Sequence, residues 1–441
     1  MSESSTKLIK FTENLPEHLV EHIISVFLPI QLLLRNRSVS KKFKATEIRS
    51  RDLDFSGMFF MRCSQLEAVN IIVSVFNQHK GSNINRFVLV LNYIGVKNKI
   101  LSWVNTCIDK GIQELVLDFS KAKKVAEIPV NFSAIKTLIV LKLRWCQFKI
   151  PKNSPKGLKL LRTLELMKIQ VTEMVIDAIF SNCIHLETLE LIECIMYGVL
   201  NIKAHNHKKF KSLVVYSMPD LMDIVLDAPT LECYKYDGLV SAVDFSRVDA
   251  LKEAKLHYKR GNRWGYCDLF EMVHGNMGAC IKEVQVFATT NIFLEAIPFR
   301  SVMGQMRQRP LCFPNLKEFQ VVIRGRAFCG LYNIAEFLDQ CPNLERVLID
   351  IDDFTFEPKL NGELPIYQLD TIKEVEINGY KGHWHEVDIV RFFVSNAQFL
   401  EKLILKISRN RKIKFSEHDH ARIKYIETIS MKKGLIKVVE V

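Results

Sequence analysis

One pattern governs what this chain can fold into. The cassette apolar-x-x-apolar-x-apolar recurs thirteen times along the 441 residues. Clear copies are Leu161-Arg-Thr-Leu-Glu-Leu166, Leu186-Glu-Thr-Leu-Glu-Leu191, Leu344-Glu-Arg-Val-Leu-Ile349 and Leu400-Glu-Lys-Leu-Ile-Leu405. Weaker copies begin at Ile84, Ile112, Leu138, Phe210, Leu231, Leu251, Ile281, Leu316 and Ile372. Successive starts are 28, 26, 23, 25, 24, 21, 20, 30, 35, 28, 28 and 28 residues apart. In a strand the fourth and sixth positions of the cassette point into a core while the fifth points out. The first apolar residue packs at the turn into the strand. Between cassettes, Val171 to Phe180, Ile334 to Leu338 and Val387 to Val394 carry apolar residues three and four apart, as one-sided helices require. A strand-plus-helix unit cannot bury its apolar face alone, so units stack. The expected fold is an α/β solenoid with parallel strands on a concave side and helices on a convex side.

The register has further support. Cys183, Ala228, Cys341 and Ala397 each lie three residues before a cassette's first apolar residue, where a small residue suits a tight helix-to-strand turn. Most cysteines therefore read as small buried hydrophobes. Outward strand positions form the candidate binding surface: Lys142, Arg144, Glu165, Glu190, Tyr216, Lys235, Lys255, His257, Gln285, Gln320, Asp350 and Glu376. Their mixed signs suit a patterned partner better than a uniform polyanion. Residues 258–312 are the least regular stretch, either a specificity-bearing insertion or a wide loop.

Composition closes off other classes. With 48% apolar and 25% charged residues, the chain is of the folding rather than the disordered kind. The charge of +12 comes from 61 basic and 49 acidic residues spread thinly along the sequence. No aromatic-interleaved basic platform accompanies it, so nucleic acid is not an expected partner. No apolar run approaches a membrane span, and MSESSTKLIKFTENLPE has no continuous apolar stretch, so neither secretion nor membrane insertion is expected. The 11 cysteines then belong to a reducing compartment, the nucleus or the cytoplasm. None has Cys-x-x-Cys spacing. The pairs His205/His207, His383/His385 and His418/His420 would each put two imidazoles on one side of a strand, but nothing at ligand spacing completes them. No metal, no cofactor and no catalytic residue is expected. Phosphate-loop, His-Glu-x-x-His and Gly-x-Ser-x-Gly signatures are missing from the sequence.

Residues 12–44 form a separate signal. Pro16 sits in the first turn of a helix whose Leu19, Ile23 and Phe27 share one face. Pro29 breaks that helix, Leu32 to Leu34 begin a second, and a third starts at Ser38 with Val39 and Phe43 on one side. Three helices in so few residues are too small for a core of their own.

These patterns carry two resemblances. The cassettes, over about residues 80–410, resemble an irregular leucine-rich-repeat array in which the consensus asparagine after the strand is mostly missing. The N-terminal segment resembles an F-box, on Leu15-Pro16, Leu19, Ile23, Leu28-Pro29 and Val39-Ser40-Lys41-Lys42-Phe43, with Phe43 where that family usually has Trp. Ile372 to Gly382, His385 to Asn396 and Phe399 to Ile404 resemble the FBD module that ends many plant F-box proteins. The resemblance implies an F-box at 10–57, repeats at 80–365 and an FBD-like end at 366–441. It implies a non-catalytic substrate receptor of a Skp–cullin–F-box ubiquitin ligase. Leu15, Pro16, Leu19, Ile23, Phe27, Leu28, Pro29, Leu33, Val39 and Phe43 would meet the Skp-family adaptor, and the repeat surface an unknown protein substrate. The alternative is a repeat scaffold outside any ligase, with or without a small-molecule ligand.

Overall fold

The computed structural model describes residues 29–39, 47–127, 130–132, 135–150, 158–240, 242–259, 283–296, 312–327, 330–356, 366–407 and 434–440, with 421, 425, 426 and 428. The chain forms two compact units, Met1–Met196 and Tyr197–Val441.

In the first unit six parallel strands pair in chain order: β1 (Asp52–Phe55), β2 (Arg86–Val90), β3 (Glu114–Asp118), β4 (Val140–Arg144), β5 (Thr163–Met167) and β6 (Thr188–Ile192). Helices α1 (Ile30–Val39), α2 (Met58–Arg62), α3 (Gln65–Gln78), α4 (Lys97–Asp109) and α5 (Glu173–Asn182) belong to the same unit. The second unit has nine parallel strands in one sheet: β8 (Ser212–Tyr216), β10 (Cys233–Leu239), β12 (Glu253–Lys259), β13 (Val286–Thr290), β14 (Glu318–Ala327), β15 (Arg346–Phe356), β16 (Glu374–Asn378), β17 (Lys402–Ile407) and β18 (Ile436–Glu440). With them go β7 (Gly198–Lys203), β9 (Leu221–Asp227) and β11 (Ala242–Arg247), and helices α6 (Asn291–Ala296), α7 (Leu331–Asp339) and α8 (Trp384–Asn396).

The cassette explains the ladder. From Phe87 and Leu89 to Leu403 and Leu405, the residues at positions four and six are at most 2% exposed in every rung whose register is as read from sequence. One carbonyl per rung, at position two, accepts from two successive N–H groups of the next rung. Arg162 O thus accepts from Glu187 N (2.8 Å) and Thr188 N (2.9 Å), and Lys317 O from Glu345 N and Arg346 N (both 3.0 Å). The small residues ahead of the strands close their turns as expected: Leu186 N donates to Cys183 O (3.0 Å) and Leu400 N to Ala397 O (3.2 Å). At position eight, one residue before the place of the consensus asparagine, Trp145, Lys168, Glu193, Ser217 and Gly379 take φ between 50° and 73°. The strand thus ends in a left-handed residue that carries a Cβ in four of these five rungs.

Three readings need correction. Opposite the main sheet, residues 198–247 form a second parallel sheet, β11-β9-β7, rather than helices. These rungs are 24, 21 and 20 residues long, whereas the rungs with a helix of nine or more residues run 25 residues or longer. A strand rises more per residue than a helix, so a short rung returns along a strand. The cassette placed at Ile281 begins at Val284, because Phe287 pairs with Ala254 and Gln285 O takes the position-two role toward Lys317 and Glu318. Finally, Ser38 and Val39 continue α1 instead of opening a third helix.

Candidate functional site

In each rung the side chains at positions three, five and seven leave the core on the strand face. In the first unit they form connected ion pairs. Arg86 from β2 bridges its neighbours, Nη1 to Asp54 Oδ2 (2.8 Å) and Nε to Glu114 Oε1 (3.1 Å). Arg144 Nη1 meets Asp118 Oδ2 (3.1 Å), and Lys142 Nζ meets Glu165 Oε2 (2.8 Å). These contacts follow from parallel register, which sets Arg86 beside Glu114 and Lys142 beside Glu165. Half-burial works against the charge of Asp54, yet hydrogen bonds from Ser56 and Arg86 hold its carboxyl below the usual carboxylate range. The hydrogen bond to Glu165 pushes Lys142 up.

The second unit repeats the device. Arg346 lies between Glu318 (3.3 Å) and Glu374 (3.6 Å), and Lys402 reaches the same Glu374 (3.1 Å). Lys406 Nζ is 2.5 Å from Glu376 Oε1, and Lys235 and Lys255 share Glu253 (3.7 and 3.1 Å).

The predicted strand-face residues fall on this surface with one exception. Lys142, Arg144, Glu165, Glu190, Tyr216, Lys235, His257 and Gln320 are half-buried, Glu376 is buried and Asp350 is exposed. Burial pulls the His257 imidazole below its ordinary value. Gln285 is exposed but precedes β13; the fifth position there is Ala288, nearly buried. Position three was overlooked in the sequence, and with it Arg86, Glu114, Glu253, Glu318, Arg346 and Glu374. The alternation that located positions five and seven also points to position three. The first rung, with Asp54, was missed because it opens on Ser50 rather than on an apolar residue.

At the other end of the first unit, α1 packs on β1: Ile30 and Leu33 are fully buried, and Gln31 Nε2 donates to Asp54 O (3.5 Å). A cleft of about 1330 Å³ opens here, lined by Pro29, Gln31, Arg51, Asp54, Arg62 and Arg86 among others. Of the expected adaptor-facing residues, Pro29 is exposed at this cleft. Leu33, expected at the adaptor, is fully buried. Leu15, Pro16, Leu19, Ile23, Phe27, Leu28 and Phe43 lie outside the described residues, as does the side chain of Val39.

The two described histidine pairs are not on strands. His205 and His207 lie in the turn after β7, where His205 Nδ1 meets Asp227 Oδ1 (3.1 Å). His383 and His385 flank the first residue of α8, and His418 and His420 lie outside the described residues. Glu386 anchors this helix start. Its Oε2 accepts from Lys381 N (2.8 Å), Gly382 N (2.7 Å) and His383 N (3.1 Å). Burial pushes the thiols of Cys194 up to about 11 and of Cys146 and Cys183 up to about 12, so they stay protonated and inert.

Comparison with known proteins bears on the whole chain. Residues 75–438 match the family model described as the At1g61320/AtMIF1 LRR domain. FBD-associated F-box protein At1g61320 of Arabidopsis thaliana is 53% identical over 444 residues, covering 97% of this chain and 96% of that protein. FBD-associated F-box protein At1g61330 of the same plant is 52% identical, covering 97% and 98%. F-box/FBD/LRR-repeat protein At2g26030, also from Arabidopsis thaliana, is 24% identical, covering 89% and 91%.

Proposed function

The chain belongs to the plant family of FBD-associated F-box proteins with leucine-rich repeats, and from that premise we propose that it is the substrate receptor of a Skp–cullin–F-box ubiquitin ligase. The N-terminal segment docks on the Skp-family adaptor, and the strand face holds a protein to be ubiquitylated. The chain supplies proximity and no chemistry: tethering a substrate beside the conjugating enzyme raises its effective concentration there. The workplace of such a receptor is the nucleus or cytoplasm.

The observation that carries this reading is the match to F-box proteins over 97% of the chain, together with a strand face that presents charged side chains in fixed register. The test is a pull-down of the full chain against a Skp-family adaptor, beside a Leu15→Ala, Pro16→Ala, Ile23→Ala variant. Binding by the wild type and loss in the variant is the expected result. Failure of the wild type to bind overturns the ligase reading. Burial of Leu33 favours the second reading, in which the N-terminal helix only caps a scaffold outside any ligase.

A further inference from the structure

Resting on the receptor reading, we propose that the strand face of the first unit recognises a basic, extended protein segment. Six carboxylates stand at its outward positions: Asp52, Asp54, Glu114, Asp118, Glu165 and Glu190. Only three cations share those positions, Arg86, Lys142 and Arg144. All three are already engaged with carboxylates: Arg86 with Asp54 and Glu114, Arg144 with Asp118, Lys142 with Glu165. The face is thus net acidic on a chain whose overall charge is +12. The same outward positions in the second unit carry six acids and six bases, so the excess is a property of this face and not of the repeat.

The arrangement suits a strand-like ligand. Neighbouring strands of the sheet stand ~4.8 Å apart, and an extended segment rises ~3.3 Å per residue, so about eight residues cross six strands. Among these charges, half-buried Val116 and Val140 add apolar surface to the face. A segment alternating Lys or Arg with small apolar residues matches both. Glu165 and Asp118 are only 14% and 12% exposed, so a cation placed there interacts in a medium less screening than bulk water.

The test uses the full chain and two labelled peptides of about ten residues, one alternating Lys/Arg with Val/Thr, the other its Glu/Asp counterpart. Fluorescence anisotropy at low salt is expected to show the basic peptide bound at least about tenfold more tightly. The Glu114→Gln, Glu165→Gln, Glu190→Gln variant should lose about tenfold of that affinity, and the helix-side control Asp109→Asn should lose none. Equal binding of the two peptides overturns the proposal, as does an unchanged affinity in the triple variant. If the triple variant melts early, the wild type decides by salt: basic-peptide affinity that does not fall as screening increases overturns the proposal. The adaptor pull-down separates the two readings. Adaptor binding without peptide preference sinks this inference alone, and peptide preference without adaptor binding sinks the ligase reading alone.

Discussion

At the scale of single residues, the structure stores pH sensitivity near the first rungs. His79 is buried, its Nε2 lies 2.9 Å from Ser50 O, and Lys110 Nζ donates to its Nδ1 (2.8 Å) and to Gly81 O (2.9 Å). That geometry requires a neutral ring, since protonated Nδ1 could not accept and would face the lysine charge. Burial first, then Lys110, hold the imidazole below its ordinary value of 6.5. A lowered histidine binds its proton in the unfolded chain before the folded one, so stability is full above about pH 6.5 and falls as pH drops toward the folded value. The melting temperature should decrease between pH 7 and pH 5, and His79→Gln should flatten part of that decrease. His257 and His385, also pulled down, contribute in the same direction. A second residue is decisive for the opposite reason. Gly379 has φ +73°, and a Cβ there would lie 2.2 Å from Ile351 O. Gly379→Ala should cost about 2 kcal/mol or more in urea unfolding, whereas an alanine scan of exposed loop positions should stay near zero.

At the scale of elements, what the sequence disclosed depends on how many physical signals agreed. The helices at 171–180, 334–338 and 387–394 were legible because three- and four-residue spacing coincided with rungs long enough to hold them, and they are α5, α7 and α8. Strands β7, β9 and β11 were hidden by an assumption carried over from those rungs. Yet Leu200/Ile202, Ile224/Leu226 and Val243/Phe245 alternate with period two and are buried. The register error at β13 has a local cause. Ile281-Lys-Glu-Val-Gln-Val286 fits the cassette by accident, while the true copy, Val284 to Thr289, ends on a polar residue. Thr289 tolerates its core position because its hydroxyl donates to Leu256 O (3.0 Å). Around this rung the irregular length is offset by an aromatic cluster. Phe337 of α7 stands 4.3 Å from Phe319, 5.2 Å from Phe313 and 5.8 Å from Phe293, ring centre to ring centre. Phe337→Ala should therefore cost about 3–5 kcal/mol, read as a lower urea midpoint, and Phe337→Leu distinctly less.

At the scale of the whole molecule, the repeat and the N-terminal segment divide the work, and the two were unequally legible. A repeat announces itself by recurrence, so four clear and nine weaker matches fixed a fold; strand-face residues at positions five and seven followed from parity, whereas position three and the first rung were missed. The N-terminal segment occurs once, so its reading rested on resemblance, and within it Leu33 is fully buried. That division makes a prediction about behaviour in solution. In the first unit Met58 and Leu66 are 63% and 70% exposed close to the cleft at α1, and Met61 is 60% exposed. Large apolar side chains grouped on a surface favour association unless a partner covers them. An adaptor docked on the neighbouring N-terminal segment would cover such a region, so co-expression with a Skp-family adaptor should raise the soluble, monodisperse yield of the full chain. The Leu15→Ala, Pro16→Ala, Ile23→Ala variant should lose that gain while keeping the melting temperature of the repeats. Size-exclusion chromatography with light scattering reads both quantities. A yield and dispersity indifferent to the adaptor would mean that the exposed methionines and Leu66 need no cover, and would leave the segment as a cap on its own array.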